Sequence, residues 1–223
     1  MNWMELREEE FEEAVQRSGG LCVVPVGCFE MHGQHLPLGT DTLHGKRILE
    51  VASEREPVVT LPPLYFGDLQ GAQKTDPTKG EGHYGYMALS VELLTRLLEE
   101  ICDEVERNGF DKFVIVSSHG GNTALLNNFS RKIASKKRKC KVFIHNITLP
   151  HPSNILKLVE QNGRDYFPEL SDEDLRVLRE YVDERKSGGH ACLAETAWLY
   201  SQYPELTRLD KIEALSQICK CLL

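Results

Sequence analysis

The stretch Leu21 to Asp41 reads LCVVPVGCFEMHGQHLPLGTD, and it changes character halfway. Leu21 to Val26 (LCVVPV) is a short, continuously apolar run, the pattern of a strand buried on both faces of a parallel sheet. Directly after it, Glu30 to Asp41 (EMHGQHLPLGTD) packs two carboxylates and two imidazoles among glycines and a proline, which suits neither a helix nor a plain strand. A strand that ends in a polar, chemistry-bearing loop is the basic unit of α/β sheets, where ligands bind at the carboxyl ends of the strands.

The rest of the chain repeats that unit. Residues 4–17 predict an amphipathic helix, about 42–54 a helix, and Val58 to Leu61 a strand closed by Pro62 and Pro63. Gly67 to Gly85 is Gly-rich and polar. Residues 90–108 (SVELLTRLLEEICDEVERN) carry a strong helical pattern, with Ser90 as N-cap and Gly109 as stop. Lys112 to Val116 predicts a second buried strand followed at once by SSHGGN. A helix at about 123–137, a strand at Val142 to Ile147 and a long acidic helical section from about 153 to 185 complete the series. Strands alternating with helices predict one three-layer α/β/α domain over residues 1–223, with a mostly parallel sheet.

Composition narrows the function classes. The 223 residues are 41% hydrophobic, enough for one sizeable core, and the net charge of −8 disfavours nucleic-acid phosphates as partners. The longest basic run, Lys136-Lys137-Arg138-Lys139, falls at the end of a predicted helix, where it complements the dipole. No run of about 18 apolar residues offers a membrane span, and the charged N-terminal segment is unlike a signal peptide, so a cytoplasmic protein with no membrane partner is expected. Seven cysteines, at positions 22, 28, 102, 140, 192, 219 and 221, lack disulfide-framework or zinc-ribbon spacing and are expected to be free thiols. Cys219-Lys-Cys221 is a weak metal signal.

The strand-end rule brings Glu30, His32, Asp41 and His119 to one rim of the sheet. Glu30 and His32, two apart in extended chain, face the same way. Carboxylate and imidazole donors suit zinc, manganese or iron(II), and a set without a thiolate cluster differs from a structural zinc site. Two divalent ions held close together can activate a water near neutral pH and polarise a carbonyl, which is a hydrolytic arrangement, with a small molecule as substrate. Gly120 and Gly121 permit close backbone approach, and the helix after Asn122 offers amide donors to a developing oxyanion. His35 and Thr40 are expected to orient ligands by hydrogen bonds, and His190 is a candidate proton donor to a leaving group.

EMHGQHLPLGTD resembles the signature of the creatininase family of amidohydrolases, roughly E-x-H-G-x-H-L-P-L-x-T-D. SSHGGN resembles that family's second metal motif, and HACLAET at 190–196 resembles its third. The resemblance implies a dinuclear metal hydrolase in which Asp41 bridges two ions, Glu30 and His119 hold one, and His32 and Glu195 hold the other. It also implies closed homo-oligomers, commonly hexamers, for which Leu93, Leu94, Leu97 and Leu98 offer an apolar helical face. Such enzymes cleave C–N bonds of cyclic or linear amides, and some relatives open cyclic ketones derived from inositols; a non-catalytic metal-binding member is the remaining alternative. In the creatinine enzyme a Glu stands where this chain has Gly121, and an acidic residue where it has Gly189, so creatinine is not the expected substrate. The Gly67 to Gly85 stretch also departs from the family's usual loop, making Gln73, Lys74, His83 and Tyr84 candidates for specificity.

Overall fold

β1, Leu21–Val26, is the second strand of a four-stranded sheet in the order β2-β1-β3-β4, and every pairing is parallel. β3 (Lys112–Ser117) lies along it in the register Leu21 to Lys112 through Val26 to Ser117, so the two strands end side by side. β2 (Val59–Thr60) and β4 (Lys141–Asn146) complete the flanks. This sheet belongs to the first of two compact units, Met1–Ile147 and Thr148–Leu223. The computed structural model describes residues 1–149, 151–183 and 190–214. Gly189, Cys219 and Cys221 lie outside the described residues.

Side-chain alternation sends the strands' residues to two opposite layers. Cys22, Val24, Val26, Phe113 and Ile115 pack with Ala14 of α1 (Glu8–Arg17), Leu98, Cys102 and Val105 of α3 (Val91–Arg107), and Leu126, Phe129 and Ile133 of α4 (Asn122–Ala134). Val23 and Val116 face the other way, onto Leu49 of α2 (Thr40–Arg55) and Val58. Helices therefore cover both faces of a parallel sheet, the expected three-layer α/β arrangement, and that double cover is why LCVVPV is apolar throughout. Leu94 and Leu98 are buried, whereas Leu93 is half exposed.

Three helix boundaries differ from the pattern in the sequence. The first helix is split into a 3₁₀ turn at Trp3–Glu5 and α1 from Glu8, because Glu10 accepts from the Arg7 amide at 2.8 Å and caps a new start there. α4 stops at Ala134, ahead of the basic run. Two residues of the run reach α3 instead: Lys136 joins Lys132 of α4 at Glu99, at 3.4 and 2.8 Å, and Arg138 meets Asp103 and Glu106. In the second unit the acidic section is two helices, α5 (Pro152–Asn162) and α6 (Asp172–Asp183), interrupted around Gly163 and Pro168, and α7 (Leu193–Gln202) follows. Residues 184 and 185 of the predicted section lie outside the described residues.

Phe129 is 1% exposed at the centre of the larger core. Phe129→Ala is expected to lower unfolding free energy by about 3–5 kcal/mol in urea titration. A loss under about 1 kcal/mol would contradict this packing.

Candidate metal centre

The rim where β1 and β3 end is stitched by short polar contacts. The Ser118 amide donates to Val26 O at 3.1 Å, and the Ser118 hydroxyl donates to Asp41 O at 2.7 Å, fastening the first turn of α2 to the end of β3. A Cβ on Gly27 would collide with the Thr42 backbone, so only glycine lets α2 start this close to the end of β1. Thr42 donates its hydroxyl to Cys28 O at 3.0 Å across the same junction, and the Glu30 amide closes the intervening loop on Leu38 O at 3.0 Å. Thr40 corrects the sequence reading: its hydroxyl donates to Pro37 O at 2.7 Å, bracing the turn into α2 rather than a ligand.

Asp41 sits at the centre, buried in the first turn of α2, where the helix dipole favours an anion. Its two oxygens face different partners. Oδ2 lies 2.8 Å from His119 Nδ1 and 3.1 Å from Cys28 Sγ, and Oδ1 lies 3.5 Å from His32 Nε2. Glu30 Oε1 stands 3.1 Å from the same His119 Nδ1. The far nitrogen of each ring faces a backbone carbonyl, His119 Nε2 at 3.0 Å from Asp68 O and His32 Nδ1 at 3.2 Å from Glu30 O. A carbonyl only accepts, so the far nitrogens carry hydrogen and the inner nitrogens are left to aim a lone pair or a proton at the carboxylates.

The charges follow from that arrangement. Burial opposes ionisation of Asp41, yet hydrogen bonds from His119 and His32 hold it well below the usual carboxylate range. Burial likewise opposes a charged His119, but Asp41 and Glu30 outweigh it and raise the imidazolium to about 10. Burial, then the charges of Asp41 and Glu30, push the Cys28 thiol up. Two carboxylates that converge on one imidazole favour a positive charge between them. Cys28, Glu30, Asp41 and His119 each offer a donor atom, all within 4.8 Å of one another, and this nitrogen, oxygen and sulfur set fits a divalent transition metal.

Four of the five ligand candidates, Glu30, His32, Asp41 and His119, are thus together in the first unit. Glu195 and His190 belong to the second unit, Glu195 in the first turn of α7 with its carboxylate accepting from the Ala191 amide, and His190 just before that turn. His35 is buried, and burial, then His32, lowers its pKa. In the Gly67 to Gly85 stretch, Lys74, His83 and Tyr84 are exposed, and the Gln73 side chain lies outside the described ones. Tyr86, directly after that stretch, is a residue the sequence reading missed: half-buried, it hydrogen-bonds the Met31 backbone and lies close enough to Glu30 and Cys28 to feel their charge. Cys28 was also missed, although the spacing of two that pairs Glu30 with His32 applies equally to Cys28 and Glu30. Asn122 and Asp68 complete the support. Asn122 is fully buried, donates to Val26 O and Gly27 O at 3.3 and 3.4 Å, and accepts from the Asp68 amide at 2.9 Å, so it sets the carbonyl that orients His119.

Gly121 is pressed against that same carbonyl. A Cβ there would overlap His119 Nε2 and stand 2.5 Å from Asp68 O. Gly121→Ala is expected to break the Nε2–H···O contact and to cut metal affinity or activity by about 10–100-fold, read by metal titration. Affinity and activity equal to wild type would show that the ring does not depend on Asp68.

His44 is buried behind Asp41, and burial, against the pull of Asp41, lowers its pKa from 6.5 to about 4. Its neutral form belongs to the folded state, so the metal-free protein should lose stability as pH falls from 6.5 through about 4. In denaturant titrations across that window, His44→Gln should flatten the slope by up to about 1.4 kcal/mol per pH unit. An unchanged slope would mean that His44 titrates alike in both states.

Comparison with known proteins places this geometry. A family model described as creatinine amidohydrolase (Creatininase) matches residues 4–217. A creatinine amidohydrolase of Pseudomonas putida is 27% identical over 213 residues, 93% of this chain and 74% of the relative. A mycofactocin precursor peptide peptidase of Mycolicibacterium smegmatis is 31% identical over 115 residues, 48% of this chain and 42% of the relative. Among solved structures, a manganese creatininase superposes with a TM-score of 0.65 at 22% identity, covering 94% of this chain and 76% of that one, a likeness of fold.

Proposed function

The chain belongs to the creatininase family of hydrolases, and from that membership we propose that it cleaves a C–N bond of a small cyclic or linear amide with two divalent ions held around Asp41. The observation that carries the proposal is the division of Asp41's oxygens between two imidazoles, Oδ2 toward His119 and Oδ1 toward His32. Glu30 and His119 would hold one ion and His32 the other, with Asp41 between them. Bound there, zinc, manganese or iron(II) would supply an activated water and a Lewis acid for the carbonyl. The protein's own part is to keep Asp41 ionised in a buried place, to fix both ring tautomers through Asp68 O and Glu30 O, and to present Tyr86 beside Glu30. Glu195, as the carboxylate of the second ion, and His190, as proton donor to the departing nitrogen, enter through the motif HACLAET. The absence of a side chain at Gly121, where a Cβ would strike His119 and the Asp68 carbonyl, supports a substrate other than creatinine.

Elemental analysis of protein purified without chelators should find up to two divalent ions per chain, and no uptake of zinc, manganese or iron(II) would remove the proposal. Asp41→Asn should abolish turnover in a screen of lactams, formamides and cyclic ketones and deplete at least one ion. His190→Ala should keep its metal and slow the chemical step by about 10²–10⁴-fold. Loss of metal in His190→Ala as complete as in Asp41→Asn would make it a ligand.

A further inference from the structure

Cys28 is the one thiol at the rim among the described residues in the first unit; Cys22, Cys102 and Cys140 lie in the apolar core. It is fully buried, and its backbone is fastened to α2 by the Thr42 hydroxyl. Its Sγ stands 3.1 Å from Asp41 Oδ2, which is 2.8 Å from His119 Nδ1, which in turn is 3.1 Å from Glu30 Oε1. A tetrahedron built on metal bonds of about 2.0–2.3 Å has edges of roughly 3.3–3.7 Å. The three separations above are shorter than these edges, and all four donor atoms lie within 4.8 Å of one another.

We propose that Cys28 is a thiolate ligand, so that Cys28, Glu30, Asp41 and His119 form a closed four-donor site for a thiophilic ion such as zinc, distinct from the open site at His32 and Asp41 Oδ1. The inference rests on the reading above that this rim holds divalent ions. On coordination the S–H bond breaks, the metal–sulfur bond forms, and the thiol and imidazolium protons pass to solvent; no oxidation state changes. A site filled by four protein donors has no vacant position and keeps its ion, whereas a site with fewer donors exchanges its ion and keeps room for a reactant. A soft sulfur donor also favours zinc or cobalt over manganese at the closed site. The two ions are thus unequal: one fixed and organising, one exchangeable.

Cobalt(II) tests this, because a cobalt–thiolate bond has a near-ultraviolet charge-transfer band that oxygen and nitrogen ligands lack. The full chain carrying Cys219→Ser and Cys221→Ser, stripped of metal, is titrated with cobalt alone. The expected result is a charge-transfer band that saturates at the first equivalent and is lost in Cys28→Ser, which retains the visible ligand-field bands. Ligand-field bands without charge transfer in the parent chain overturn the assignment of Cys28 while leaving the metal-hydrolase reading intact. No cobalt bands at all, with no uptake of zinc or manganese, overturn both. Should Cys28→Ser fail to fold, zinc-edge X-ray absorption of the parent chain decides: a sulfur neighbour at about 2.3 Å supports the thiolate, and a shell of nitrogen and oxygen alone overturns it.

Discussion

A carboxylate buried at Asp41 and kept ionised is the constraint on which the rest of the rim depends. Removing such a charge from water carries a penalty on the order of several kcal/mol, and only close, well-aimed donors offset it. Here the offset comes from three directions: the first turn of α2, the rings of His119 and His32, and the thiol of Cys28. Each donor must arrive on a rigid element, since a displacement of about 1 Å forfeits much of a hydrogen bond. The parallel register that ends β1 and β3 together meets that demand, delivering Cys28 to His32 from one strand and His119 from the other.

The compensation is also unbalanced in a chemically useful way. His119 faces two carboxylates and is held protonated in the metal-free protein, while His44, behind the same aspartate, is held neutral by burial. Two imidazoles within reach of one carboxylate therefore sit on opposite sides of neutrality. The difference is positional: His119 lies within hydrogen-bond reach of both Asp41 and Glu30, whereas at His44 burial outweighs the charge of Asp41.

Much of this was legible in the residues. LCVVPV read as a strand covered on both faces because no polar residue interrupts it, and the positions of EMHGQHLPLGTD and SSHGGN after apolar runs placed their side chains at one rim. Less legible were contributions made by backbone. The Asp68 carbonyl that sets the His119 tautomer, and the Pro37 carbonyl that takes the Thr40 hydroxyl, would be the same atoms whatever the side chains, so no residue type announces them. Helix ends were displaced where a local cap won over the apolar pattern, as at Arg7 and Glu10. Cys28 was hidden for another reason. A single cysteine beside an apolar strand reads as core, and only the approach of α2 turns it into a neighbour of Asp41.

Gly121 shows that the packing around His119 is collective rather than set by one residue. The space a side chain would need at 121 is taken by His119 and the Asp68 carbonyl. Asp68 is held there by Asn122, and Gly67 before it fits so closely that a Cβ would strike Gly27 O, the Cys28 side chain and Asn122 Oδ1. Adding a glutamate at 121 alone would therefore push against the His119 ring and the Asp68 carbonyl. Gly67 and Asp68, their anchor at Asn122 and the bare backbone at Gly121 form one packing solution, in which the Asp68 carbonyl faces His119 Nε2. A side chain at 121 requires the Asp68 backbone to move, and the residues that set its path, Gly67 and Asn122, carry no chemistry of their own.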